Sequence, residues 1–128
     1  MEEKFVQEFN RLCDKASLVW PGFRRPKLTF NLTGQTAGMA HYSPRNEIRL
    51  NRAFCVSHPK SMLEDTLPHE VAHILVEQRY GPRSQPHGAR WYAMFGALTG
   101  NAPEGRCHDY RADASYEAEA ALKELTNL

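Results

Sequence analysis

Two histidines four residues apart, in His69-Glu70-Val71-Ala72-His73, constrain this chain more than any other feature. Residues i and i+4 of a helix share one face, so both imidazoles can grip a single metal ion, and the fold must turn that face into a cleft. Glu70 stands about 100° around the helix axis from His69. It is poorly placed as a third ligand but within reach of a water beside the metal. Zinc held by neutral imidazoles lowers the pKa of such a water to about 7, and a neighbouring carboxylate can take the proton and later hand it to a leaving amine. The implied chemistry is hydrolysis of a peptide bond. The alternative is a pair of histidines that share a helix with a surface glutamate.

Catalytic zinc sites combine three protein ligands with an open fourth position. His87 is the favoured third ligand. The motif helix is expected to run to about Tyr80 and stop at Gly81-Pro82, because glycine suits a left-handed cap and proline cannot continue a helix. After a turn from Arg83 to Pro86, His87-Gly88-Ala89-Arg90-Trp91 opens a second helical pattern carried by Trp91, Met94, Phe95 and Leu98. His87 would then face the first helix from the second; its other reading is a polar residue in a proline-containing turn. Several rivals are weaker. Glu77 continues the spacing of His69 and His73, yet side chains two full turns apart do not converge easily on one ion, and a solvated role is expected. Cys55 could offer a thiolate, as in deformylase-like enzymes, but Ala53-Phe54-Cys55-Val56 reads as core. His41, His58 and His108 are lone histidines and rank below His87. The short metzincin spacing, with a third histidine soon after a glycine, is absent.

Periodicity places these residues on elements. Phe5, Phe9, Leu12, Cys13 and Ala16 give the segment from about Glu2 to Ala16 one buried helical stripe, broken at Trp20-Pro21-Gly22. Leu28, Phe30 and Leu32 alternate with Lys27, Thr29 and Asn31 as a half-buried strand does. Thr36–Tyr42 and Glu47–Leu50 read as two further strands, paired as a hairpin through Ser43-Pro44-Arg45-Asn46. Ser61-Met62-Leu63-Glu64 has capping-box form and would start the motif helix, with a kink or restart at Pro68. Ala112–Leu125, rich in Ala, Glu and Leu, is predicted to be a helix without visible chemistry. The fold class that follows is α+β, a small sheet packed on helices with the metal helix beneath it.

With these motifs in place, the chain resembles the SprT-like metalloprotease family. The resemblance is carried by Pro26-Lys27-Leu28, Thr36-Ala37-Gly38-Met39-Ala40, Asn46-Glu47-Ile48-Arg49-Leu50-Asn51, Pro68-His69-Glu70-Val71-Ala72-His73-Ile74-Leu75 and Pro86-His87-Gly88-Ala89-Arg90-Trp91, from about residue 26 to residue 110. It implies a zincin-like fold, one Zn2+ per chain held by His69, His73 and His87, and Glu70 as the catalytic base. The family's eukaryotic member Spartan is a DNA-dependent protease that degrades proteins crosslinked to DNA, which implies a related substrate class. In a zincin-like fold an edge strand can hold the substrate backbone by strand addition, a role assigned to Thr36–Ala40, whose other reading is a glycine-containing strand with a bulge. His108 or Tyr110, in Cys107-His108-Asp109-Tyr110, could stabilise an oxyanion, or form a surface loop. One departure from many family members is the lack of any CxxC: Cys13, Cys55 and Cys107 are scattered, so no zinc ribbon is expected.

Composition narrows the remaining classes. A chain of 128 residues with 41% hydrophobic content suits a single domain spanning 1–128. No apolar run is long enough to cross a bilayer, and Met1-Glu2-Glu3-Lys4 is unlike a signal peptide's basic head. A cytoplasmic protein with no membrane partner is expected, with nucleoid or nuclear association in keeping with the resemblance; unpatterned cysteines agree with a reducing compartment. Net charge is +1, from 16 basic and 15 acidic side chains, so nothing global draws the chain to nucleic acid. Local phosphate-contacting edges are conceivable at Arg24, Arg25 and Lys27, with Trp20 and Phe23 beside them, and at Arg45, Arg49 and Arg52. The functional expectation is a zinc-dependent endopeptidase acting on protein substrates associated with DNA. The alternatives are a non-catalytic, zinc-stabilised interaction module and another HExxH zinc hydrolase.

Overall fold

The apolar stripe of the first segment behaves as its spacing predicts. In the computed structural model of the chain, which describes residues 1–82 and 86–101, Phe5, Phe9, Leu12, Cys13 and Ala16 form the buried face of α1 (Glu2–Val19). The helix ends where Trp20 turns extended, its N–H bonded to the Ala16 carbonyl at 2.9 Å. Phe23 is buried in the core and Trp20, partly buried, packs against it.

Three strands follow: β1 (Lys27–Leu32), β2 (Gly38–His41) and β3 (Glu47–Asn51). Their order is β1-β3-β2, with β2 antiparallel and β1 parallel to the central β3. The expected hairpin is present, shorter at its first strand than the predicted 36–42, with Gly38 opposite Leu50 and His41 opposite Glu47. Strand alternation sorts the side chains. Leu28, Phe30, Ile48 and Leu50 belong to the helix-facing core, while Thr29, Asn31, Glu47 and Arg49 hydrogen-bond among themselves on the other face. Asn51, at the end of β3, does three jobs. Its Oδ1 accepts from Ala53 N–H at 3.1 Å and caps α2 (Arg52–Ser57), while Nδ2 donates to the carbonyls of Gly34 at 2.9 Å and Thr36 at 3.0 Å. That side chain satisfies backbone groups of both the helix leaving β3 and the loop entering β2.

From Pro59 the chain is helical to Tyr80, through a short turn α3 (Pro59–Ser61), a π-helical turn Met62–Thr66 and α4 (Leu67–Tyr80). The predicted capping box is not used, because Ser61 already has helical backbone angles and makes no side-chain cap bond. The restart expected at Pro68 does occur. Proline has no N–H and its ring crowds the carbonyl four residues back, so the wider π turn precedes it and α4 begins with proline in its first turn, where it is tolerated. Every residue from Leu67 to Val76 is buried, as in a helix enclosed on all sides. Gly81 ends α4 at φ 91° and ψ 169°, a reversed φ that suits glycine, though the conformation is not the left-handed α cap predicted. α5 (Ala89–Thr99) packs on α4 and buries Trp91, Met94, Phe95 and Leu98.

The architecture is thus α+β, a three-stranded mixed sheet against helices, with α4 touching β2, α1 and α5. No helix among the described residues is long and apolar enough to cross a membrane. The predicted helix Ala112–Leu125 and the cluster Cys107–Tyr110 lie outside the described residues.

Candidate metal centre

α4 presents His69 and His73 from successive turns, and the chain just ahead of α5 brings His87 to them. His87 sits in the turn before the helix rather than on it, since α5 begins at Ala89 with Gly88 as its N-cap. The three Nε2 atoms make a nearly equilateral triangle: His69 to His73 3.1 Å, His73 to His87 3.0 Å, His87 to His69 3.1 Å. Hydrogen bonds alone cannot hold such a triangle. Each neutral Nε2 is either donor or acceptor, so three of them always leave at least one like pair. Three nitrogens around a tetrahedral zinc at about 2.0–2.1 Å lie roughly 3.3 Å apart, close to this spacing. Among the described residues these three are the one group of His, Cys, Asp or Glu side chains whose ligand atoms converge so as to hold a metal ion.

For His73 and His87 the surroundings favour the neutral imidazole, the form that has a lone pair to give. Burial pushes the pKa of His73 down to about 3, with the neighbouring His69 and His87 adding to the effect, and burial lowers that of His87. Trp91 forms the wall behind them. It is fully buried, with ring centroids 4.8 Å from His69, 5.6 Å from His73 and 5.0 Å from His87, and its indole N–H donates to the His69 carbonyl at 3.2 Å. Trp91 follows His87 by four residues, a spacing visible in the sequence, but its role as a wall was not.

Glu70 is buried in the first turn of α4. Its side chain lies against β2. A Cβ added to Gly38 would fall 3.2 Å from Glu70 Cγ, 3.3 Å from Oε2 and 2.8 Å from Thr66 Cγ2, so glycine alone lets the strand come this close. At the far end of β2, Tyr42 lines a cleft with His73, Glu77, Gly81 and Pro86. Burial raises its phenol pKa, and the charges of Glu70 and Glu77 raise it further.

The other sequence candidates fall elsewhere. Glu77 is not simply solvated: it is half-buried and accepts the Ser43 N–H at 2.8 Å, tying α4 to the turn after β2. Next to it, Gln78 accepts from the Arg24 N–H at 2.7 Å and donates to the Arg24 carbonyl at 2.9 Å. Cys55 is a core thiol, fully buried and pushed up to about 11 by that burial. His41 is on β2 and His58 caps α2, both outside the histidine triangle. The arginines expected to meet phosphates are engaged within the protein: Arg45 with Glu47, Arg49 with Asn31, Arg52 with Glu2, Arg24 with Ser43 and Arg25 with Asp14. His108 and Tyr110 lie outside the described residues.

Comparison with known proteins gives the chain a family. The SprT-like family model matches residues 3–109. Protein SprT of Pseudomonas paraeruginosa is 41% identical over 88 residues, covering 69% of this chain and 52% of that protein. Protein SprT of Vibrio parahaemolyticus is 40% identical over 93 residues, covering 70% of this chain and 55% of that protein. The chain spans about half the length of the curated relatives it matches. No solved structure matches it. A family match over most of the chain, on top of a histidine triangle with a buried glutamate beside it, shows that the chain belongs to the SprT-like family.

Proposed function

We propose that this chain is a zinc-dependent endopeptidase whose substrates are proteins bound or crosslinked to DNA. The observation that supports the hydrolytic reading best is the convergence of three imidazole nitrogens at 3.0–3.1 Å with a buried carboxylate one residue away in sequence. When bound by His69, His73 and His87, zinc supplies a Lewis acid and makes a water acidic enough to lose its proton near neutral pH. Glu70 takes that proton on its carboxylate and returns it to the amine that leaves. Its burial against Gly38 fixes where the carboxylate sits and shields it from competing solvent.

β2 supplies the substrate's binding edge in this reading. It pairs with β3 on one side, and among the described residues no strand pairs on the other, so an extended peptide can add there through backbone hydrogen bonds. Gly38 and Ala40 keep that edge low over Glu70, and Tyr42 flanks the path near His73. The DNA-associated substrate class, and the cytoplasmic setting that goes with it, rest on the family resemblance rather than on geometry. A zinc-stabilised module without turnover is the competing reading. It leaves unexplained why a carboxylate is buried beside a three-ligand site, when a structural zinc takes four protein ligands.

Replacing Glu70 with glutamine tests the assignment. Glu70→Gln should keep zinc content and melting temperature while lowering peptide cleavage by about 10²- to 10⁴-fold. Wild-type turnover in a zinc-loaded variant would remove Glu70 from this role. Failure of the zinc-loaded parent to cut casein, with and without single-stranded DNA, would favour the non-catalytic module.

A further inference from the structure

Most arginines among the described residues have a polar partner of their own. Arg11 pairs with Glu8, Arg25 with Asp14, Arg45 with Glu47 and Arg52 with Glu2, while Arg24 bonds Ser43 and Arg49 bonds Asn31. Arg79 and Arg90 differ. Neither makes an ion pair or side-chain hydrogen bond among the described residues, and the Nε of Arg79 is buried with no hydrogen-bond partner. Both guanidinium groups lie instead on the ring of Tyr80, their carbons 5.3 Å and 4.0 Å from its centroid. The ring attracts each cation but neutralises neither. Two like charges therefore stand within about one screening length of each other, roughly 8–10 Å.

Helix polarity sharpens the contrast. Arg79 is in the last turn of α4, where the carbonyl end favours a cation. Arg90 is in the first turn of α5, where the N–H end is already positive; that turn has no acid, and Gly88 supplies no side-chain cap. A cation at this end is unfavourable unless something negative joins it.

We propose that Arg79 and Arg90, held on Tyr80, form a site for a phosphate group. Each planar guanidinium offers paired N–H donors matched to phosphate oxygens, and an anion between the two removes their repulsion and answers the positive end of α5. Two sources share this chemistry, the backbone of a single-stranded nucleic acid and free inorganic phosphate. Tyr80 lies seven residues beyond His73, roughly 10 Å along α4, and Arg90 is three residues beyond His87. A strand held here passes beside the metal centre without entering it, so a protein attached to that strand is delivered to the cleft. The choice of nucleic acid as the favoured source rests on the reading of DNA-associated substrates given above; the site itself does not.

The test uses the full zinc-loaded chain and reads binding apart from proteolysis. Fluorescence anisotropy with a labelled single-stranded oligonucleotide is one arm, and a phosphorus NMR titration with inorganic phosphate is the other. R79Q/R90Q should weaken oligonucleotide binding at least tenfold and reduce the slope of log K against log salt by roughly 0.7, the value for the one phosphate no longer neutralised. Zinc content and casein cleavage should not change. R79K/R90K keeps both charges but loses the forks, so it should bind several-fold more weakly with most of the salt slope retained. Phosphate binding that is lost in R79Q/R90Q, without oligonucleotide binding by the parent, would keep the site and make free phosphate its ligand. Unchanged binding in R79Q/R90Q, or no binding of either probe by the parent, overturns the site. If R79Q/R90Q does not fold, unchanged affinity in R79K/R90K overturns it equally. An inactive parent that still binds the oligonucleotide through these arginines would count against the protease reading alone.

Discussion

The outer face of the sheet and the inner side of α4 both gather polar side chains, the first half open to water and the second buried, and they do so in opposite ways. On the sheet, Glu47 accepts from Thr29 Oγ1 at 2.8 Å and from Arg45 Nε at 2.7 Å, and Arg49 Nε donates to Asn31 Oδ1 at 2.8 Å. Donor meets acceptor, and the network closes on itself. Beside α4, three nitrogens of one kind meet at 3.0–3.1 Å, and burial pushes His73 and His87 toward the neutral state. Lone pairs of one kind close only around a cation. The pairing of unlike groups marks structure, and the crowding of like groups marks a site.

The sharpest way to break this contrast is to remove one member of the triangle. His87→Ala leaves only the two α4 histidines, so zinc content after dialysis should fall from one per chain toward none, and peptide cleavage should fall with it. Retained zinc would mean that another side chain completes the site. A smaller effect is expected from Gly38→Ala. The new methyl would lie 2.8 Å from Thr66 Cγ2 and 3.2 Å from Glu70 Cγ, and overpacking of this kind costs about 1–3 kcal/mol. The variant should melt earlier and cut peptide more slowly, with zinc content unchanged because no ligand moves. Equal cleavage would show that Glu70 tolerates displacement and that β2 need not lie so close.

The smallest effect belongs to the self-satisfied network. The Thr29 hydrogen bond, aided by Arg45, holds the Glu47 carboxyl below its ordinary value of 4.5. A depressed folded pKa stabilises the fold above that ordinary value, and the contribution is lost as pH falls toward the depressed one. Glu47→Gln should therefore cost less than about 1 kcal/mol near neutral pH, since Arg45 is largely exposed. The difference in melting temperature between the two proteins should shrink as pH drops below about 4.5. A difference that grows with acid would reverse the sign of this coupling.

What the sequence revealed follows from how local each signal is. The α1 stripe, the β2–β3 hairpin, the end of α4 after Tyr80 and the two motif histidines depend on neighbours a few residues away, and each was legible. His87 was legible as a candidate, but its convergence with His69 and His73 needed the packing of α5 on α4. The π turn ahead of Pro68 was not foreseen. Proline announced a break, but whether the chain would kink or widen depends on the burial of Met62 and Thr66. Long-range partners stayed hidden as well. Glu77 read as solvated because its partner, the Ser43 N–H, lies 34 residues away, and the arginines around β3 read as free because Glu2, Asn31 and Glu47 reach them only in the fold. Gly38 read equally well as a bulge, because only the side chains of Thr66 and Glu70 give its missing Cβ a purpose.

The central claim is that His69, His73 and His87 hold one zinc and leave a position open. X-ray absorption at the zinc edge of the purified chain tests it most directly. The expected result is one zinc per chain with three imidazole nitrogens at about 2.0–2.1 Å and one further light atom. A sulfur neighbour at about 2.3 Å, which would bring a cysteine into the site, or a fourth imidazole closing it, would contradict the account.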